Sequence, residues 1–167
     1  QRFAKYGLAL HPEKTRLVEF GRYAAQHRAR QGKGKPETFD FLGFTHICAR
    51  SRQGFFTIHL RTMRKRFQRS LKAVSRWCQK HRHDDVDDQR AELNLKLRGH
   101  YQYYGRSTNF QTICRFYEAV KKVWRKWLAR RSRGQPLTWQ NFRSILDRLP
   151  LLRPRITRSW AQKGSLA

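Results

Sequence analysis

Thr62-Met63-Arg64-Lys65-Arg66-Phe67-Gln68-Arg69-Ser70-Leu71-Lys72-Ala73-Val74-Ser75-Arg76-Trp77-Cys78-Gln79-Lys80-His81 is where the periodicity of this chain changes. Met63, Phe67, Leu71, Val74 and Cys78 recur at steps of three and four, which is one face of an α-helix. Thr62 stands where an N-cap hydroxyl is wanted. A helix from Thr62 to His81 would be about 30 Å long. Its other face carries Arg64, Lys65, Arg66, Arg69, Lys72 and Arg76.

Upstream, residues 1 to 60 read as mixed α and β. Pro12 forces a turn after Tyr6-Gly7-Leu8-Ala9-Leu10 and pushes His11 into extended backbone. Leu17-Val18-Glu19-Phe20 reads as a short strand, followed by a basic, Gly-rich loop with Arg28, Arg30, Lys33, Gly34 and Lys35. Two apolar runs, Phe39 to Cys48 and Phe55 to Leu60, flank Ala49-Arg50-Ser51-Arg52-Gln53-Gly54, a hairpin pattern. So short a β piece is marginal by itself. Its open sheet edge and an opening in mid-pattern without Met lead us to expect a fragment completed by an upstream region.

Downstream the pattern stays helical. The carboxylates of His83-Asp84-Asp85-Val86-Asp87-Asp88 suit the positive end of a second helix, whose stripe is Leu93, Leu97, Tyr101 and Tyr104 and which ends near Gly105. Asn109 is a capping candidate for a third helix with Ile113, Phe116, Val120, Val123, Trp124 and Trp127 inward. After Gly134 and Pro136, Thr138 opens a short helix with Trp139, Phe142, Ile145, Leu146 and Leu149 inward, stopped by Pro150. The remainder, with Pro154, reads as an irregular tail. The fold class expected is α+β, a small hairpin-containing piece followed by a helical bundle.

Charge narrows the function. Among 167 residues, 38 are Lys or Arg and 11 are Asp or Glu, a formal charge of +27. Such an excess repels itself unless an anion neutralises it, and a phosphate backbone is the obvious one. A membrane surface is the second reading, but it needs an apolar helix face left free for lipid, and these faces look committed to a core. Cys48, Cys78 and Cys114 lie far apart with no C-x-x-C, which reads as reduced thiols and neither a disulfide frame nor a zinc site. No apolar run approaches the length of a membrane span, and the opening residues lead into no signal-peptide core.

Three stretches together resemble bacterial group II intron reverse transcriptase/maturases. Gly7-Leu8-Ala9-Leu10-His11-Pro12-Glu13-Lys14-Thr15 is similar to the family's sixth reverse-transcriptase block, motif D. Phe39-Asp40-Phe41-Leu42-Gly43-Phe44 is similar to the seventh, the primer grip. Leu95-Lys96-Leu97-Arg98-Gly99-His100-Tyr101-Gln102-Tyr103-Tyr104-Gly105 resembles the maturase-specific thumb, domain X. Their order is the family's, and the resemblance runs from about Tyr6 to Trp160. It implies the C-terminal part of a palm over 1–60, an α-helical thumb over 61–135, and a C-terminal helix and tail over 136–167. It further implies an RNA-directed DNA polymerase of a mobile element that binds its own intron RNA and assists splicing.

The family's aspartates, in an earlier strand and a Tyr-Ala-Asp-Asp turn, have no counterpart here. Asp84-Asp85 and Asp87-Asp88 lack the flanking apolar strands that would fix them. Two-metal chemistry needs fixed carboxylates, so this chain alone should not polymerise. No metal or cofactor is assigned to it; Mg²⁺ is expected for the complete polymerase.

Among single residues, the resemblance gives Lys14 a role as acid toward the departing pyrophosphate; locally it is also a surface lysine after a Pro-Glu turn. Phe41, Leu42, Gly43 and Phe44 are candidates for the primer grip, or for a plain buried strand. Gly43 is read as a glycine inside a strand, which often marks the approach of another backbone. By helical phase Tyr101 and Tyr104 belong to the core, whereas Tyr103 is free to stack on a base or sugar. Arg98 and Arg106 are phosphate candidates. Lys121, Lys122, Arg125, Lys126, Arg130 and Arg131 form the densest basic stretch, with Glu118 the one carboxylate near enough to pair. Arg64, Lys65, Arg69 and Lys72 make a second wall. His11, His46, His59 and His100 are isolated, and no catalysis is assigned to them.

The partners expected are group II intron RNA, an RNA–DNA primer–template duplex and the upstream fingers and palm of the same polymerase, with no membrane. The location expected is bacterial cytoplasm, the nucleoid included. The alternatives are a stand-alone, non-catalytic RNA-binding maturase or chaperone, and a decayed mobile-element remnant.

Overall fold

The computed structural model describes residues 4–7, 9, 11, 15–131 and 137–157. The fold is α+β, with a three-stranded antiparallel sheet and five helices among the described residues. The chain divides into two compact units. One contains residues up to Phe41 together with His46–His59; the other contains Leu42–Thr45 and the chain from Leu60 onward.

The first unit holds helix α1 (Ala24–Arg30), strand β1 (Phe39–Phe41) and most of strands β2 (Phe44–Arg50) and β3 (Phe56–Thr62), which pair in the order β1-β2-β3. The expected hairpin is present as β2–β3. Gly54, at φ +83°, turns its loop, and the Phe55 amide donates to Ser51 Oγ. The core here is thin and aromatic. Phe39 stacks on His46 at 4.7 Å and meets Phe20 edge-on at 4.8 Å, and Ala24 is the one fully buried apolar residue among those described.

Two expectations for this region are corrected. Leu17-Val18-Glu19-Phe20 forms no strand; it finds no ladder to join, and Leu17 is 97% exposed. The basic loop begins as helix α1, with Arg28 inside it, where the Arg28 guanidinium reaches Glu19 and Glu37.

The second unit packs α2 (Arg64–Lys80), α3 (Val86–Tyr104), α4 (Phe110–Leu128) and α5 (Trp139–Arg148). Near the helix starts Phe67 meets Phe116 edge-on at 5.5 Å, and near their ends Trp127 Nε1 donates to Ser75 Oγ, so α2 and α4 run in the same direction. Trp124 Nε1 donates to Gln89 Oε1 at 3.0 Å and His100 stacks on Phe116, so α3 runs opposite to both. Cys78, Leu93, Leu97, Tyr101, Ile113, Phe116, Val120, Trp124 and Phe142 form the buried centre. Each large apolar side chain taken from water stabilises the unit by about 1.5–3 kcal/mol before entropy is counted.

The caps are local chemistry. Asp85 accepts from the Asp87 amide at the start of α3, and Thr138 accepts from the Asn141 amide at the start of α5. Two expected caps are not caps. Thr62 is the last residue of β3, and Met63 precedes α2 with no side-chain cap bond. Asn109 is fully buried and makes no cap bond. Its Oδ1 accepts from the Thr62 amide at 2.9 Å, and its Nδ2 donates to Thr62 Oγ1 at 2.8 Å and to the Tyr104 carbonyl at 2.9 Å.

Residues 151–157 have no regular structure, as expected, but they are tied along α3. Leu151 is buried, the Leu152 amide donates to Asn94 Oδ1, and the Thr157 hydroxyl donates to the Tyr101 carbonyl. Trp139 is corrected from core to surface; it is 45% exposed and lies under the Arg125 guanidinium at 4.2 Å.

Candidate nucleic-acid interface

Helix α2 contains seven Lys or Arg residues and no acid. The predicted wall residues Arg64, Lys65, Arg69 and Lys72 are all exposed, as are Arg66, Arg76 and Lys80. Lys65, Arg69, Lys72, Arg76 and Lys80 repeat at steps of three and four, so they share one stripe opposite the buried Val74 and Cys78.

This arrangement works against the helix. Lys65–Arg69, Lys72–Arg76 and Arg76–Lys80 are like-charged pairs at i,i+4, each destabilising by about 0.2–0.5 kcal/mol. Arg64, Lys65 and Arg66 occupy the first turn, where the helix dipole is already positive, and no acidic residue accompanies them. An anion at that end would reverse the sign of these terms.

Helix α4 is different. Its cations other than Arg115 sit in the C-terminal half, where the dipole is more favourable to them, and several have partners within the unit. Lys121 pairs with Glu118 at 2.8 Å and lies over the Tyr117 ring. Arg125 donates to the Leu137 carbonyl at 2.7 Å, and Arg131 donates to the carbonyls of His83 and Asp84. Lys122, Lys126 and Arg130 remain exposed at steps of four, with Lys126 and Arg130 over the Trp127 ring. Arg98 is exposed on α3, and Arg106 is half-buried beyond it with no hydrogen-bond partner for its Nε among the described residues. Exposed Arg115 on α4 belongs to the same class and was missed, because it stands alone in sequence.

The segment read as a primer grip is a turn, which corrects the placement of Gly43 inside a strand. Leu42 at φ +46° and Gly43 at φ +78° are the two central residues of the β1–β2 connection, the signature of a type I′ hairpin turn. Phe41 is 58% and Leu42 67% exposed, while Phe44 is buried. The close neighbours of Gly43 are side chains of α3: a Cβ there would meet Tyr104 Oη at 3.1 Å and the Tyr103 ring at 3.5 Å. A leucine held at positive φ with its side chain in water is strained and exposed at once, a combination that folding alone does not require.

Tyr103 is half-exposed, as helical phase requires, but it is not free to swing. Its hydroxyl donates to the Leu42 carbonyl at 2.8 Å and its ring stacks on Phe44. Tyr101 and Tyr104 are buried, as expected, and burial raises both phenol pKa values; for Tyr104, Tyr103 adds to the rise and Arg66 opposes it. Lys14 lies outside the described residues.

Three of the four paired aspartates have partners around the start of α3. Asp84 bonds His81 at 2.7 Å, Asp85 caps α3, and Asp87 pairs with Arg90. No helix among the described residues is long and apolar enough to cross a membrane. No family model, curated protein or solved structure matches the chain.

Proposed function

We propose that this chain binds RNA through phosphate contacts on the outer face of α2, as the C-terminal part of a group II intron reverse transcriptase/maturase. The observation that carries the binding claim is α2 itself: seven cations, no acid, three of them at the unfavourable end of the dipole. A folded unit tolerates this cost where an anionic partner removes it. Duplex RNA is recognised through shape, phosphates and 2′-hydroxyls, so contacts along this face are largely sequence-tolerant.

Support for the polymerase part comes from the motif resemblance and from two structural features. The exposed, strained Leu42 tip lies in the segment similar to the primer grip. The first unit exposes Tyr6, Leu17, Tyr23, Phe41 and Phe55 over a thin core, the surface expected where upstream fingers and palm would pack. In that setting the complete polymerase supplies Mg²⁺ and its carboxylates, and this chain supplies grip and thumb. The same α2 face serves the rival reading, a non-catalytic RNA-binding maturase.

The test compares binding of a blunt RNA duplex to the whole chain and to a variant with Lys65, Arg69, Lys72 and Arg76 changed to Gln. Four lost phosphate contacts reduce the slope of log affinity against log salt by about 3.6. Removing the like-charged pairs raises stability by about 0.6–1.5 kcal/mol. Weaker binding by a more stable protein is the expected result. Unchanged affinity, with loss instead on changing Lys122, Lys126 and Arg130 to Gln, would move the interface to α4.

A further inference from the structure

Between α2 and α3 the second unit has an open slot of about 590 Å³, within the range that seats small ligands. Its α2 wall is Ser70, Ala73 and Val74, and Trp77 closes one end. Its α3 wall is Gly99 and His100, with Tyr103 at the other end.

Gly99 is unexplained by the fold. It lies inside a helix, where Gly is about 0.8–1 kcal/mol worse than Ala, yet a Cβ placed on it meets nothing within 4 Å. Neither a tight turn nor close packing within the unit requires it. His100 lines the slot with its ring. It is 9% exposed and stacks on Phe116 at 3.7 Å, and its Nε2 has no surface that a ligand in the slot could reach.

The walls describe a ligand that is flat and carries a negative charge. Tyr103 is a fixed aromatic platform, held by its bond to Leu42 and its stack on Phe44, so little side-chain entropy is lost on binding. Trp77 is likewise set, stacked on His81 at 4.9 Å with Lys96 Nζ 5.0 Å from its ring centre. On α2, Arg66 and Lys80 stand seven residues before and after Ala73, so cations flank the slot along its own row. An apolar side chain would fill the slot but make no use of these charges.

We propose that the slot takes one unstacked base of single-stranded RNA, stacked against Tyr103 with its phosphates toward Arg66 and Lys80. This rests on the RNA-binding reading above and deepens it: α2 presents phosphate contacts for duplex on its outer stripe and a base site for single strand on its flank. A junction between paired and unpaired RNA engages both.

The test measures affinity of the whole chain for a single-stranded uridine 12-mer and for a blunt RNA duplex at one salt concentration. Gly99→Leu fills the slot from one wall, and Ala73→Leu fills it from the other. Leu is the better helix former at position 99, and melting curves confirm folding of both variants. Stacking of one base is worth about 1–3 kcal/mol, so each variant should weaken the 12-mer by about 5- to 150-fold and the duplex by less than twofold. A 12-mer bearing 2-aminopurine should show quenching that both variants abolish. If folded variants bind the 12-mer as the parent does, the slot is not a base site, while salt-dependent duplex binding leaves the α2 face intact. If the parent binds neither RNA, both readings fail together.

Discussion

Replacing Asn109 by Ala should be among the most damaging single changes in the second unit, although Asn109 touches no proposed ligand. Its side chain makes three buried hydrogen bonds, to the Thr62 amide, the Thr62 hydroxyl and the Tyr104 carbonyl. Alanine leaves the Thr62 amide without an acceptor at a residue only 4% exposed, at a cost of about 1–3 kcal/mol. The hydroxyl and the carbonyl each lose one donor and retain other lone pairs, adding about 0.5–1 kcal/mol together. The sum is about 1.5–4 kcal/mol, which lowers the melting temperature by roughly 6–16 °C for a unit of this size. Thermal unfolding followed by far-UV circular dichroism measures it. Thr62→Val deletes the hydroxyl alone and should cost about 1 kcal/mol. Because the residues share one network, the double variant should be less destabilised than the two single effects added. A loss below 1 kcal/mol for Asn109→Ala, or strict additivity with Thr62→Val, would refute the account of Asn109 as the link between the end of β3 and the turn after α3.

Leu42→Asn should stabilise by about 0.5–1 kcal/mol, because Asn tolerates positive φ and Asn-Gly is the preferred pair in a type I′ turn; Gly43→Ala should destabilise by more than 1 kcal/mol, from its φ and from contact with Tyr104. Equilibrium urea unfolding of both variants checks the turn. Burial lowers the His100 pKa to about 4 from an ordinary 6.5, so the folded state binds fewer protons than the unfolded state. The stability this residue permits is therefore whole above about pH 6.5 and is lost as the pH falls toward 4, by about 3 kcal/mol in all; His100→Phe should flatten that part of a stability–pH curve, and an unchanged curve would count against a neutral buried imidazole. Burial pushes the Cys78 thiol up to about 12, and the residue is fully enclosed, so a maleimide should label Cys48 in the native protein and reach Cys78 only on unfolding.

The helical half was legible because its signals are local. The stripes Phe67-Leu71-Val74-Cys78, Leu93-Leu97-Tyr101-Tyr104 and Ile113-Phe116-Val120-Trp124 each define a face at one period, and the buried core falls on those faces. Asp85 and Thr138 cap for reasons contained in three consecutive residues. What could not be read depends on distant partners. Thr62 and Asn109 both look like caps, and each hydrogen-bonds the other across 47 positions. Helix α1 carries no apolar stripe, only Ala24 of its seven residues being buried. The turn at Leu42-Gly43 was hidden inside an apolar run, since leucine is a poor indicator of positive φ. The slot beside α2 had one sequence signal, a glycine in the middle of an otherwise helical stretch, but its meaning required seeing that nothing in the fold fills the space beside it.

The same distinction separates the basic residues. In sequence, α4 holds the densest run of charge and reads as the stronger wall. In the structure much of that run has local work: Arg125 and Arg131 satisfy backbone carbonyls, Lys121 has a carboxylate, and the run lies at the end of the helix that attracts cations. Charge that a fold already uses is weak evidence for a ligand. Helix α2 supplies the opposite case, with no acid, no basic side chain bonded to a backbone carbonyl among the described residues, and three cations at the repelling end. Unfavourable charge that has no structural beneficiary is the better guide to phosphate, which is why binding should follow the residues whose removal makes the protein more stable.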